Sequence, residues 1–316
     1  MSFIRTVLGD VAPGDLGRCY AHEHVIIDRS YTTQLFPDIH LPSVENGVKE
    51  LADFKAAGGG AMVDCMPCDA GRNVETLAEI SRQSGVHLIA PTGLHRVRFY
   101  PEGHWRFTSG PARLADLFVD EIEKGIDAND CAGPDLRRTA HRAGVLKIAS
   151  DAATLDDAER AAFEAVAAAH RRTGCPVITH CEAGRGAEQV AFLAARGVDP
   201  RHLVLSHTDR QPDPAYHREL FRTGAFVEYD RAFRAKLDDA NPTLVLFAAM
   251  VKEFPDQVML GTDGARASYW RSYGGAPGLD YLLREFSDRA RKMGVTDAEL
   301  RKVFVDNPAR AYAFAR

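Results

Sequence analysis

The sequence predicts an α/β fold of the (β/α)8 class, a single TIM barrel domain over 1–316, and three observations carry that prediction. Eight short apolar runs alternate with segments of helical periodicity along the 316 residues. Runs without polar alternation mark strands buried on both faces of a parallel sheet. No linker, repeat or low-complexity stretch divides the chain, and its length suits a closed barrel better than an open doubly wound sheet.

The first strand runs from Gly17 through Tyr20 into His22-Glu23-His24. Ser43 caps a helix that carries Val44, Val48, Leu51 and Phe54 to Ala57, and Gly58-Gly59-Gly60 stops it. Strand two is Ala61–Cys65, helix two Val74–Ser84 and strand three Val86–Ala90. A long loop, 93–110, is rich in aromatic and basic residues, a composition more often functional than slack. Helix three follows over Leu114–Ile126, and strand four, Ala143–Ala149, carries Lys147 in its apolar middle. An alanine-rich helix, Asp156–Arg172, leads to strand five, Pro176–His180, and then to a helix over Gly186–Arg196. Strands six (Leu203–His207), seven (Ala225–Tyr229) and eight (Gln257–Gly261) are separated by helices over Tyr216–Phe221 and Thr243–Glu253. Helices over Leu279–Met293 and Asp297–Phe304 close the chain.

Bulk composition excludes several classes of function. Apolar residues make up 45 % of the chain, enough for a large core, and the net charge is −5. That balance gives no electrostatic footprint for nucleic acid or an anionic membrane. No apolar run reaches a membrane span and no leader-like segment opens the sequence, so a soluble, cytoplasmic protein is expected. Six cysteines in so long a chain are not a disulfide framework. Cys65 and Cys68 form one CxxC with no second pair; small residues at a strand end explain it more simply than zinc or redox chemistry.

The strand ends hold the chemistry. Positions i and i+2 of a strand share a face, so His22 and His24 can close on one ion from a single strand. Strand five ends in His180, strand six in His207 and strand eight in Asp263. In a barrel all these ends, with Lys147, converge on the mouth where active sites lie. Each residue alone has a structural explanation, as a core histidine, a helix cap or a snorkelling lysine. One shared explanation for all six is simpler. Four imidazoles and a carboxylate exceed the needs of one catalytic zinc and suffice for two ions.

The segments Ala21-His22-Glu23-His24-Val25, Val145-Leu146-Lys147, Thr179-His180, Leu205-Ser206-His207-Thr208-Asp209-Arg210 and Leu260-Gly261-Thr262-Asp263-Gly264 resemble the phosphotriesterase family of the amidohydrolase superfamily. The resemblance extends from Gly9 to Asp306-Asn307-Pro308-Ala309-Arg310. It implies a hydrolase with two divalent ions; zinc is expected, with manganese or cobalt as alternatives. His22, His24 and Asp263 would hold the buried ion, and His180 and His207 the exposed one. Lys147 would be carboxylated by CO2 and bridge the pair. A protonated amine there would be repelled by two cations, whereas a carbamate supplies ligand atoms. A hydroxide shared by the ions would be the nucleophile, and Asp263 would carry its proton to the leaving group. A homodimer is expected by the same resemblance.

Fold and metals leave the substrate open, because the family hydrolyses organophosphate triesters, lactones and amides. Lys236, Arg266 and Tyr269 stand where the branch that opens phosphorylated sugar lactones places its phosphate clamp; a solvated basic surface is the alternative. Tyr100 and Arg231 are further candidates to line the substrate site, with Arg96, Arg98 and His104 weaker ones. Arg231 replaces the relay histidine of the triesterases, and Arg210 replaces an acidic residue, so a neutral triester is disfavoured. The expected substrate is a small anionic molecule, a phosphorylated furanose 1,4-lactone, with N-acyl amide hydrolysis or another lactone or organophosphate as the alternative. A deaminase on this barrel would need a different spacing from that of His180-Cys181-Glu182.

Overall fold

A computed structural model describes residues 2–132, 135–151, 155–181 and 184–315; Glu182 lies outside them. A hairpin absent from the sequence prediction comes first: β1 (Ile4–Thr6) pairs antiparallel with β2 (Gly9–Val11). The parallel strands follow as β3 (Arg18–Glu23), β4 (Gly59–Asp64), β5 (His87–Ile89), β6 (Pro91–Gly93), β7 (Val145–Ala149), β8 (Val177–His180), β9 (Leu203–Ser206), β10 (Phe226–Tyr229) and β11 (Val258–Leu260). Neighbours pair in chain order, except that predicted strand three is split. Its first half, β5, pairs with β4, and its second, β6, pairs with β7. Pro91 sits at the break, where a residue without an N–H interrupts a ladder at least cost.

The circle closes between the first and last strands. Asp263 N donates to His22 O at 3.2 Å, and Thr262 N donates to Glu23 Oε1 at 2.7 Å. The fold is therefore the predicted (β/α)8 barrel. Around it lie α1 (Tyr31–Leu35), α2 (Val44–Ala56), α3 (Val74–Ser84), α4 (Pro111–Glu123), α5 (Asp157–Thr173), α6 (Gly186–Ala194), α7 (Pro214–Arg222) and α8 (Pro242–Glu253). Ser43, Asn73 and Asp156 cap their helices by accepting from Asn46 N, Thr76 N and Glu159 N. The predicted helix over Leu279–Met293 is instead a π-helical turn (Leu282–Phe286) running into α9 (Ser287–Lys292). The closing helix is likewise divided into α10 (Asp297–Arg301), a π-helical turn (Lys302–Asp306) and α11 (Asn307–Ala311). Pro308, which has no N–H to donate, lies just past that change of register. Among the described residues no helix is long and apolar enough to cross a membrane.

Alternation sorts the strand residues into two cores. Cys19, Val63, Val145, Ile178, Val204 and Met259 fill the barrel interior, while Leu146, Ile148 and Val177 pack outward against Phe163 and Val166 of α5. Lys147 takes the inward register of Val145, one layer above it. The CxxC comes apart by the same rule. Cys65 belongs to the interior, whereas Cys68 Sγ donates to Glu121 Oε2 at 3.3 Å outside it.

Gly93 sets the spacing beneath Lys147. It has φ +111°, and a Cβ there would stand 1.9 Å from Lys147 O. Gly93→Ala is therefore expected to destabilise the fold by about 2 kcal/mol or more through overpacking and strain. Chemical denaturation of the variant measures this, and an unchanged midpoint would contradict it.

Candidate metal centre

The histidine pair on β3 depends on a local irregularity. Strict alternation would send His22 outward with Tyr20, whose ring packs on Phe54 of α2. The β3–β4 register shifts between Tyr20 and Glu23, and this bulge turns His22 inward. His22 and His24 then lie with ring centroids 5.5 Å apart. Asp64 fixes the end of the strand by accepting from Val25 N and Met66 N at 2.8 and 3.0 Å.

Two further predicted ligands sit on left-handed backbone. His207 has φ +60° and Asp263 φ +45°, conformations uncommon for residues with a Cβ that persist only where neighbours enforce them. At His207 the enforcing group is Asp230, whose Oδ2 accepts from His207 N at 3.1 Å and lies 2.7 Å from its Nδ1. At Asp263 it is Glu23, the residue between the two histidines. Glu23 accepts from Thr262 N, Thr262 Oγ1 and Gly264 N, and so brackets Asp263 on both sides.

The predicted ligands meet. One atom from each of His22, His24 and Asp263 falls within 4.8 Å of the others. Asp263 Oδ1 lies 3.1 Å from His24 Nε2 and 3.8 Å from His22 Nε2. His207 stands 4.6 Å from His22 and 4.1 Å from His180 between ring centroids. Lys147 is 1 % exposed, and its Nζ has no hydrogen-bond partner among the described residues. Burial, then the charges of Lys147 and His207, hold His22 well below the usual imidazole range. Burial and neighbouring His207 and His95 do the same to His180. Neutral imidazoles beside a carboxylate and an unpartnered amine are a donor set that divalent cations fit. Asp230, on the Nδ1 side of His207, is placed as an outer carboxylate that orients a ligating ring.

Beneath the imidazoles lies a stack of carboxyls that the sequence reading missed. Burial, then the charge of Asp230, pushes Glu228 well above the usual carboxylate range. Burial, with Asp230 again, pushes Asp209 up to about 7. Asp209 accepts from Thr243 Oγ1 at 2.6 Å and from Arg231 N at 3.0 Å, so it anchors the turn after β10. Two-residue spacing along Glu228 and Asp230 was the available signal.

Above the imidazoles opens a cavity of about 240 Å³, lined on its basic side by Arg96, Arg98, Arg210, Arg234 and Arg266. Of the predicted clamp, Arg266 reaches this cavity and pairs with Asp38 at its rim. Tyr269 packs edge-on against Phe233 at 5.3 Å, and Lys236 is exposed on the turn after β10. Neither belongs to the cavity wall. Arg231 meets the carboxyl stack through its backbone N–H. Tyr100 stands behind the wall, where its hydroxyl donates to Cys68 O and accepts from His95 N. His104 is similarly withdrawn, bonded to Asp69 at 2.8 Å. His95 and Arg234 line the cavity without having been singled out from the sequence.

A profile of the phosphotriesterase family matches residues 2–312. The chain belongs to that family. It is thus a hydrolase of a metal-dependent family. A phospho-furanose lactonase from Mycoplasmopsis synoviae is 30 % identical to it over 328 residues, covering 99 % of this chain and 92 % of the relative. Among solved structures, an amidohydrolase from Mycoplasma synoviae aligns with a TM-score of 0.93 at 27 % identity, covering 100 % of this chain and 93 % of that one. A lactonase from Listeria monocytogenes aligns at 0.90 and 30 % identity, covering 99 % and 100 %.

Glu23→Ala would leave Thr262 N and Gly264 N buried without an acceptor. A loss of about 1–3 kcal/mol per orphaned group is expected, together with a lower metal content per chain. Thermal melting and elemental analysis measure the two effects, and wild-type values for both would contradict the bracketing role.

Proposed function

We propose that the enzyme opens a lactone ring, and that its substrate is a furanose 1,4-lactone bearing a phosphate. One observation carries the reading: His22, His24, His180, His207 and Asp263 line a single cavity whose wall is arginine-rich. The phospho-furanose lactonases and the structurally similar lactonase support the choice of reaction.

His22, His24, Lys147, His180, His207 and Asp263 would hold two divalent ions, with Lys147 as a carbamate between them. Such ions, when bound, lower the pKa of coordinated water and polarise a carbonyl oxygen. The chain's own contribution is position and charge. Burial keeps His22 and His180 neutral, so both remain available as ligands. Burial pushes the Asp263 carboxyl up, but Arg234, His24 and His207 outweigh it and hold it well below the usual carboxylate range. Asp263 is therefore an anion available to ligate a cation, and it faces the cavity, where it would carry a proton to the leaving alkoxide. Arg266 would exchange Asp38 for the substrate phosphate, with Tyr269 three residues further along the same segment and Lys236 on the turn after β10 completing the clamp. A guanidinium fork, an ammonium and a phenol together satisfy a phosphate dianion.

Replacing Arg266 or Lys236 with Met should raise KM for the phosphorylated lactone ten-fold or more. That corresponds to the roughly 1.5–3 kcal/mol of a hydrogen bond to a charged group. Assays on the lactone phosphate, its dephosphorylated form and an N-acyl amino acid separate the readings. Unchanged kinetics in both variants would refute the clamp, and preference for the N-acyl amino acid would refute the lactone. Removing metal with a chelator should abolish turnover and zinc should restore it; activity that survived complete removal would refute the metal dependence.

A further inference from the structure

Arg234 makes a contact that the reading above does not require. Its Nη2 donates to Asp263 Oδ2 at 2.5 Å and to Asp263 O at 3.1 Å, while Nη1 donates to Asp230 O at 3.3 Å. One guanidinium thus ties together the carboxyl ends of β10 and β11. Its side chain is 18 % exposed, and the Tyr269 ring lies 5.9 Å from Cζ, so water screens these bonds poorly.

The contact divides the labour of the carboxylate. Oδ2 bonds Arg234 and stands 3.9 Å from His207 Nδ1, while Oδ1 faces the imidazoles of His24 and His22 at 3.1 and 3.8 Å. Rotation about the Cβ–Cγ bond would exchange these oxygens, and the guanidinium opposes it. The bond to Asp263 O acts on the backbone as well, helping to hold a left-handed residue that Glu23 brackets through its flanking N–H groups. Arg266, by contrast, bonds the exposed Asp38 carboxylate and can leave it for a ligand. Arg234 is committed to groups of the protein itself.

We propose that Arg234 is a positioning residue for Asp263, reserving one carboxylate oxygen for the metal side of the site. The proposal rests on the role assigned to Asp263 under Proposed function. It concerns kcat and metal retention, not substrate affinity. Lysine in its place would supply the charge without the planar fork that reaches side chain and carbonyl together.

The test uses purified holoenzyme and two variants, Arg234→Met and Arg234→Lys. Steady-state kinetics are measured on whichever substrate the wild type hydrolyses, and the rate of metal release to a colorimetric chelator is followed separately. Arg234→Met should lower kcat ten-fold or more with KM within about two-fold of wild type, and should speed metal release ten-fold or more. Arg234→Lys should recover part of both, and it carries the test alone if the Met variant does not fold. A raised KM with kcat and metal release unchanged would make Arg234 a substrate-binding residue and overturn the proposal. Wild-type behaviour in both variants would overturn it too. If the wild type itself holds no metal, the reading of the site falls; if it holds metal and both variants release it at the wild-type rate, only the Arg234 proposal falls.

Discussion

An amine with no partner among the described residues, buried beside imidazoles, is the constraint around which this protein is arranged. Lys147 points into the barrel because its strand alternates, and nothing among the described residues satisfies its Nζ. Leaving an ammonium in such a place costs several kcal/mol unless something compensates it. Among the described residues no carboxylate bonds it, although Asp263, Asp230 and Glu228 are all close to the same imidazoles. The arrangement makes physical sense once the amine is converted to an anion that cations can share, which is the chemistry proposed above.

The rest of the barrel keeps that site in register. Closure of the circle is made at the site itself, by Asp263 N to His22 O and by Glu23 to Thr262 and Gly264. Glu23 is thus a structural counterpart of the two histidines that flank it: they face the cavity while it fastens the last strand to the first. Asp64 and Asp230 do comparable work at β4 and β10: Asp64 accepts from Val25 N past the preceding strand and from Met66 N past its own, and Asp230 accepts from His207 N past β9. The outcome is a rigid ring of strand ends, two of whose functional residues, His207 and Asp263, adopt left-handed backbone that isolated chains avoid.

Much of this was legible in the sequence, for reasons that also explain the exceptions. Short apolar runs and caps such as Ser43 and Asn73 are local signals, and the α3 bounds agree with their prediction at Val74 and Ser84. Strand-end ligands were legible because parallel strands deliver their termini to one mouth. The hairpin β1–β2 was not, since three-residue strands carry too little pattern, and the π-helical turns near the C-terminus follow from packing rather than propensity. The inward turn of His22 is a further case. Its spacing to His24 is visible, but the bulge that lets both face the interior past Tyr20 is a matter of pairing with β4. Glu23, Glu228, Asp230 and Arg234 were passed over because a carboxylate beneath a site, or an arginine on a turn beside one, looks like any other charged residue until its partners are known. The same holds in reverse for Tyr100, an attractive loop aromatic that the fold uses to bridge Cys68 O and His95 N.

The most direct measurement is the metal content of active enzyme together with high-resolution electron density at the tip of Lys147. Two ions per chain, with a carboxylated Lys147 bridging them between His22, His24 and Asp263 on one side and His180 and His207 on the other, is the predicted result. Fully active protein holding one ion, with an unmodified Lys147 amine standing clear of it, would contradict the account.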